Sequence, residues 1–222
     1  MMWHMKGKAV LFDLDGTLVD TIQDIALAMN TVLENHGLPQ HEPEEYKMMV
    51  GWGTRELAVR ALPSEAQSPR LIDECAREMI RLYNENPVVH TKPYPHIPEL
   101  VGALSERNVL KGILTNKTDE IAHLVVKKLF DYEQFTIIQG AKPDMPTKPH
   151  PAAAIKLAEV MGYNPEEIIY VGDSAVEVET AKRAGMIPVA VSWGFRLPEE
   201  LLEAGAEILI HDPLDLLAYV SN

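Results

Sequence analysis

The chain has 222 residues, 46% of them apolar, and a formal net charge of -13. That apolar share over that length supports one sizeable core with room for a modest insertion or second domain, and it excludes a disordered chain. The acidity argues against nucleic acid or an anionic membrane as the main partner, because both select for clustered Lys and Arg.

An anionic small substrate would need local help, from a bound divalent cation and a few basic side chains gathered in one crevice. Cys75 is the single cysteine, so no intrachain disulfide and no Cys-x-x-Cys pair can form, which fits a reducing cytosol. The opening Met1-Met2-Trp3-His4-Met5-Lys6-Gly7-Lys8 is too short for a signal-peptide apolar region. No apolar run approaches the roughly 18 residues that span a bilayer. A soluble, cytoplasmic protein is expected, as a monomer or a homodimer.

The first predicted element is a buried strand at Ala9-Val10-Leu11-Phe12, a continuous apolar run ending in Asp13. Ile22, Ile25, Ala26, Met29, Val32 and Leu33 then make a helical stripe that closes at Gly37 as a C-cap. Further helical patterns follow Pro43 and Pro69, with no strand among them. The proline-rich segment from Asn86 to Pro95 reads as an extended return linker.

Strand and helix alternate from there. Helical stripes are expected around Ile97 to Leu104, Ile121 to Leu129 and Ala154 to Ala158. Strand-like runs are expected at 109–114, 135–138, 168–171, 187–191 and 207–210. Such alternation predicts an α/β fold with a Rossmann-like parallel-sheet core, helices on both faces and ligands at the carboxyl ends of the strands. The stretch that breaks the rhythm predicts an inserted all-α domain at 20–87, within an α/β core made of 1–19 and 88–222.

Four segments at predicted strand ends carry candidate chemistry. In Asp13-Leu14-Asp15-Gly16-Thr17, residues two apart in an extended segment point the same way, so Asp13 and Asp15 both face the crevice. Two carboxylates there can divide labour, one as a nucleophile forming an aspartyl-phosphate and the other as general acid and then base. Gly16 frees the backbone to turn. A calcium loop does not fit, because its sixth position holds Leu18 rather than glycine and a strand precedes it. An ordinary loop with solvated acids is the alternative.

In Leu114-Thr115-Asn116-Lys117, a hydroxyl and an adjacent backbone N–H suit phosphoryl oxygens. The same residues equally suit a helix cap with a solvated lysine. In Thr147-Lys148-Pro149-His150-Pro151, two prolines fix a lysine whose ammonium can neutralise a phosphoryl group and a neighbouring carboxylate; a surface lysine in a turn is the alternative. In Gly172-Asp173-Ser174-Ala175-Val176-Glu177, both acids share one face of an entering helix, which suits a hard cation. Acids at a helix N-terminus are also favoured by the helix dipole alone.

Together, in this order and at strand ends, the four motifs resemble the haloacid dehalogenase superfamily of phosphohydrolases over nearly the whole chain. By that resemblance Asp13 is the nucleophile, Asp15 the acid/base, Thr115 and Asn116 bind the phosphoryl group beside Gly16, and Lys148 balances charge. Asp173 joins the Asp13 carboxylate and the Asp15 backbone carbonyl as ligands of Mg²⁺. Glu177 stands where the family usually has a second aspartate, and its longer side chain implies ligation through a water or a shifted metal. Glu179 lies on another helical face, and Asp20 reads as a helix-start acid.

The helical insert looks like the cap of the phosphoglycolate phosphatase and β-phosphoglucomutase branch. Within it, Gly51-Trp52-Gly53-Thr54-Arg55 resembles a Gly-x-Gly turn of phosphoglycolate phosphatases. Arg55 is then expected to meet a substrate carboxylate bidentately, against the alternative of an exposed arginine at a helix–helix turn. Trp193-Gly194 sits where the family often carries an aromatic-Gly pair beside the site. The resemblance implies a magnesium-dependent phosphatase acting on a small phosphorylated metabolite, with phosphoglycolate as the candidate. A phosphomutase or pyrophosphatase of the same fold and a catalytically retired binding protein are the alternatives.

Overall fold

Val10 and Phe12 face one hydrophobic layer and Ala9 and Leu11 the other, which is why the first strand reads as an unbroken apolar run rather than an alternating one. The computed structural model describes residues 6–221; Met1 to Met5, on which most of the signal-peptide reading falls, lie outside the described residues. In chain order the elements are β1 (Ala9–Phe12), β2 (Val19–Asp20), α1 (Ile22–Asn35), α2 (Pro43–Tyr46), α3 (Thr54–Ala61), α4 (Pro69–Glu85), β3 (Lys92–Pro93), α5 (Ile97–Glu106), β4 (Leu110–Thr118), α6 (Asp119–Leu129), β5 (Ile137–Ala141), α7 (Ala152–Met161), β6 (Ile168–Gly172), α8 (Ala175–Ala184), β7 (Ile187–Val191), α9 (Pro198–Glu203) and β8 (Ile208–Ile210).

Six strands form one parallel sheet in the order β5-β4-β1-β6-β7-β8. Helices α5 and α6 pack on one face through Ile97, Leu100, Ile121 and Val125. On the other face α7 and α8 pack through Ala153, Leu157, Ala181 and Ala184. This is the α/β architecture that the alternation of runs predicts. From β1 the chain builds outward through β4 to β5, then returns to β6 on the other side of β1. The reversal opens a crevice beyond the carboxyl end of β1. Phe12 pairs with both Ile113 and Val171, so the residues that follow these three strands emerge level with one another.

Two differences from the predicted elements bear on the site. Val19 pairs with Pro93 and Asp20 with Lys92 in an antiparallel ribbon, where no strand is expected. Two-residue strands show no periodicity, and a proline argues against pairing except at an edge. Strand β4 also continues through Thr118 instead of turning after Leu114, with a register shift between Leu114 and Thr118 against β5. Such irregularities re-aim side chains next to functional sites.

Helices α1 to α4 lie between the two halves of the ribbon. Ser68 caps α4 by accepting the Leu71 N–H, and Pro69 takes its first turn. Its buried stripe is Ile72, Cys75, Ala76, Met79 and Tyr83 at three- and four-residue spacing, and it packs on α1 and α3. Asp24 of α1 ties the return segment down. Its carboxylate accepts the Thr91 hydroxyl (2.6 Å) and the N–H groups of Val89 (3.0 Å), His90 (2.9 Å) and Thr91 (2.9 Å). Burial alone would raise its pKa, but these donors hold it below the usual value. Asp20 accepts the Ile22 N–H (3.3 Å), the helix-start role expected of it. Among the described residues no helix is long and apolar enough to cross a membrane.

Candidate active site

Three adjacent strand ends supply the crevice. Asp13 follows β1, with its N–H bonded to the Val171 carbonyl (2.9 Å). The loop then tightens on itself: Leu18 and Val19 both donate to the Leu14 carbonyl (3.0 Å each) and Gly16 donates to the Val19 carbonyl (2.9 Å). Gly16 has φ +82°, and a Cβ there would collide with the Asp173 carboxylate, so both conformation and space require glycine. Asp13, Asp15, Thr115, Asn116 and Asp173 line one crevice.

Lys148 lies beneath them, 3% exposed. Its Nζ is 2.6 Å from Glu177 Oε1 and 2.9 Å from Asp13 Oδ1. The second contact is an ion pair outside hydrogen-bond geometry, so Asp13 Oδ1 has no hydrogen-bond donor among the described residues. Asp173 accepts the Phe195 N–H on Oδ2 (2.8 Å) and the Thr17 hydroxyl on Oδ1 (3.4 Å). Carboxylate oxygens of Asp13, Asp173 and Glu177 lie within 4.8 Å of one another, all three residues buried.

Two of the three buried acids, Asp13 and Glu177, share the Lys148 ammonium, and the charges of the cluster show the strain. Burial pushes Asp13 up to about 7 against the pull of Lys148, with repulsion from Glu177 and Asp15 adding to the rise. Burial and then the charges of Glu177 and Asp13 push Asp173 up to about 8. Lys148 is driven the other way: burial disfavours its charge, but Asp13 and Glu177 hold its pKa well above the usual lysine value. A cluster of carboxylate oxygens short of positive charge, one oxygen without a donor, fits a hard divalent cation.

Glu177 reaches this cluster but is already engaged. Its Oε2 accepts the N–H (3.1 Å) and hydroxyl (2.5 Å) of Ser174, closing a capping box at the start of α8. Its Oε1 holds Lys148. Asn116 is likewise engaged through its side chain: Nδ2 donates to the carbonyls of Gly51 (2.9 Å) and Lys148 (3.0 Å), and Oδ1 accepts the Lys148 N–H (2.9 Å). The Asn116 side chain therefore ties the Lys148 loop to the helical insert. Thr115 Oγ1 accepts the Lys117 N–H (3.2 Å) and remains on the crevice wall.

Arg55 takes the alternative the sequence left open, that of an exposed arginine, and does not meet the crevice. Its guanidinium bonds Asp73 (2.8 Å) on the outside of the helical insert, 60% of its side chain is exposed, and it is not among the residues lining the crevice. Thr54 and Leu57 of the same helix take the inward positions. Trp193 and Gly194 stand where expected: Trp193 Nε1 donates to the Thr17 carbonyl (3.0 Å), and a Cβ on Gly194 would collide with Asp173 and the Gly16 carbonyl.

Three further residues with polar ends reach the crevice to which the sequence assigns no role there. Lys117, read as solvated, has a 6% exposed side chain and bonds both Asp15 oxygens at 2.9 Å. Tyr83 comes from the stripe of α4. Arg196 bonds the carbonyls of Lys47 and Val50, joining the loop after β7 to the helical insert. Only its proximity to Trp193-Gly194 would have pointed to Arg196.

The haloacid dehalogenase-like hydrolase profile matches residues 10–191. A phosphoglycolate phosphatase of Aquifex aeolicus is 32% identical over 216 residues, 97% of each chain. A phosphoglycolate phosphatase of Chromobacterium violaceum is 34% identical over 219 residues, again 97% of each chain. A solved structure from Lactobacillus delbrueckii subsp. bulgaricus, provisionally named a phosphoglycolate phosphatase, superposes with a TM-score of 0.91 at 26% identity, covering 98% of this chain and 100% of that one.

Proposed function

The chain belongs to the haloacid dehalogenase-like hydrolase family, and on that footing we propose that it is a phosphatase that hydrolyses a small phosphate monoester in two displacements at Asp13. The meeting of Asp13, Asp15, Thr115 and Asp173 on one crevice at three adjacent strand ends carries this reading.

In the first displacement the Asp13 carboxylate attacks phosphorus, the ester P–O bond breaks and Asp15 gives its proton to the leaving alkoxide. In the second, water attacks the phosphorus of the aspartyl-phosphate and Asp15 takes the proton of that water. The bond from phosphorus to Asp13 then breaks, which releases orthophosphate and restores both side chains. The Thr115 hydroxyl and the Asn116 main-chain N–H hold phosphoryl oxygens, and Lys148 offsets charge from below. Mg²⁺, held by Asp13, Asp173 and the Asp15 carbonyl, would supply the positive charge that the acid cluster lacks. Glu177 acts chiefly as the partner that fixes Lys148.

We further take 20–87 as a cap over the core of 1–19 and 88–222, excluding water during the chemistry. The names of the relatives make 2-phosphoglycolate the substrate to test first. The lone, buried Cys75 suits a cytoplasmic enzyme.

Purified protein with Mg²⁺ is expected to release phosphate from 2-phosphoglycolate and from an aryl phosphate, with activity abolished by a chelator. Failure to turn over any member of a broad phosphate-ester panel would overturn the phosphatase reading.

A further inference from the structure

We propose that Lys117 and Tyr83 together form a receptor for a carboxylate on the leaving-group side of the substrate, so that the site selects phosphate esters of short 2-hydroxy acids. This rests on the phosphatase reading above for the position of the ester oxygen, and on independent geometry for the receptor.

Lys117 sits on the irregular end of β4, two residues after Thr115. Both hydrogen bonds of its ammonium go to Asp15. An ammonium carries three donors, so one is left for a ligand. The Lys117 Nζ also stands 4.6 Å from the centre of the Tyr83 ring, close enough for the ring face to favour the charge. Lys117 is thus a fixed cation on the crevice wall.

Tyr83 supplies the second half. It is 4% exposed, and its Oη has no hydrogen-bond partner among the described residues. Buried hydroxyls are almost always paired, so a phenol on a crevice wall without a partner marks where a polar ligand atom belongs. Burial pushes its pKa up to about 12, so it remains a donor at neutral pH. Around this pair the wall is apolar, formed by Ile25, Leu57, Met79 and Ile121. Arg196, the other cation there, is bonded to backbone carbonyls of the helical insert.

The spacing limits how far the carboxylate can lie from the ester oxygen. Asp15 must approach the ester oxygen to within roughly 2.6–3.2 Å to protonate it, and Lys117 is 2.9 Å from the same carboxylate. Lys117 Nζ therefore lies within about 6 Å of the ester oxygen, the sum of two such contacts, and an anionic group bonded to it within about 9 Å. A carboxylate one carbon removed from that oxygen meets this limit and offers acceptors to both Lys117 and Tyr83. An ester without it leaves both donors unpaired, and such mismatches at buried donors discriminate strongly.

The test uses the full chain with Mg²⁺ and two non-hydrolysable ligands in calorimetry. These are 3-phosphonopropionate, which carries the carboxylate, and propylphosphonate, which lacks it. The wild type is expected to bind the first at least tenfold more tightly. Tyr83→Phe, the milder change, should shrink that ratio severalfold, and Lys117→Gln should bring it to within twofold. Equal binding by the wild type, or a ratio that neither variant moves, overturns the receptor. A merely structural role for Lys117 would weaken both ligands in parallel and leave the ratio intact. The ratio of kcat/KM for 2-phosphoglycolate over ethyl phosphate gives the matching kinetic readout. Equal turnover of both esters sinks the receptor and spares the phosphatase reading. Absence of any turnover sinks the phosphatase reading, while the binding ratio still judges the receptor.

Discussion

The two regions that meet at the crevice differ in kind. The strand ends bring charge: Asp13, Asp15, Lys117, Lys148 and Asp173, joined by Glu177 one helical turn further on, are each held by partners distant in sequence. The helical insert between β2 and β3 brings almost none. It offers backbone carbonyls at Lys47, Val50 and Gly51, the Tyr83 phenol and apolar side chains, while Arg55 turns outward to Asp73. On the proposed reading bond making belongs to the sheet, closure belongs to the insert, and selection is shared between Lys117 of β4 and Tyr83 of α4. Substitutions in the two regions should then move different observables.

Asp13→Asn tests the sheet side most sharply. Phosphate release should fall roughly 10⁴-fold or more while the fold persists; a variant within tenfold of wild type would remove Asp13 from the chemistry. Lys148→Met comes next and should be felt in stability as well. It strips the shared cation from Asp13 and Glu177, and leaving buried charges unpaired costs about 3–5 kcal/mol, to be read from denaturant unfolding. A loss below about 1 kcal/mol would mean that the acids are already neutral.

On the insert side, Asp24→Asn should cost about 2 kcal/mol through lost charge-assisted bonds to the return segment. The sign with pH is specific. Asp24 titrates below its unfolded value, so its contribution is full above the ordinary aspartate range near 4 and is lost as pH falls through the lowered folded value. The Tm gap between wild type and variant should therefore be present at neutral pH and close under acid conditions. A constant gap would contradict the assignment.

Arg196→Ala removes a link between the two regions and should raise KM by about tenfold, on the order of 1.4 kcal/mol, with a smaller change in kcat. A kcat that collapses while KM stands would move Arg196 to the chemical side of the comparison. Arg55→Ala should do least. The pair with Asp73 is exposed, and such pairs are worth about 0–1 kcal/mol, so activity within about twofold of wild type is expected. A large rise in KM would restore the carboxylate contact that the sequence predicted for Arg55.

What could be read from the sequence follows the same divide. Asp13 and Asp173 were legible because each ends an apolar run, and a strand end in a parallel sheet fixes where the next side chain goes. Asp15 follows from the two-residue repeat of extended chain. Lys117 was hidden because it adjoins a helix start, where a lysine is ordinarily solvated; only the irregularity of β4 and the cover of Tyr83 bury it. Tyr83 itself reads as one more residue of an apolar stripe, since nothing in a helical repeat says that the last turn overhangs a crevice. Arg55 misled for the converse reason: a position two residues into a helix does not reveal which way that helix is rolled. The β2–β3 ribbon carried no signal, being two residues long on each side.

That ribbon has a consequence for how such a molecule can change over generations. The chain leaves the sheet at Val19–Asp20 and returns at Lys92–Pro93, and these two points are paired with each other. For the sheet, everything between them is a closed excursion whose ends stay side by side whatever its length. Long excursions from adjacent ends add little to the entropy of closing the chain, and junctions of this kind accept inserted segments readily. The insert can therefore be rewritten, shortened or exchanged without shifting the register of any strand or moving Asp13 relative to Asp173. A lineage that carries this ribbon can acquire a new diet of substrates by mutation in one place while inheriting its reaction unchanged in another.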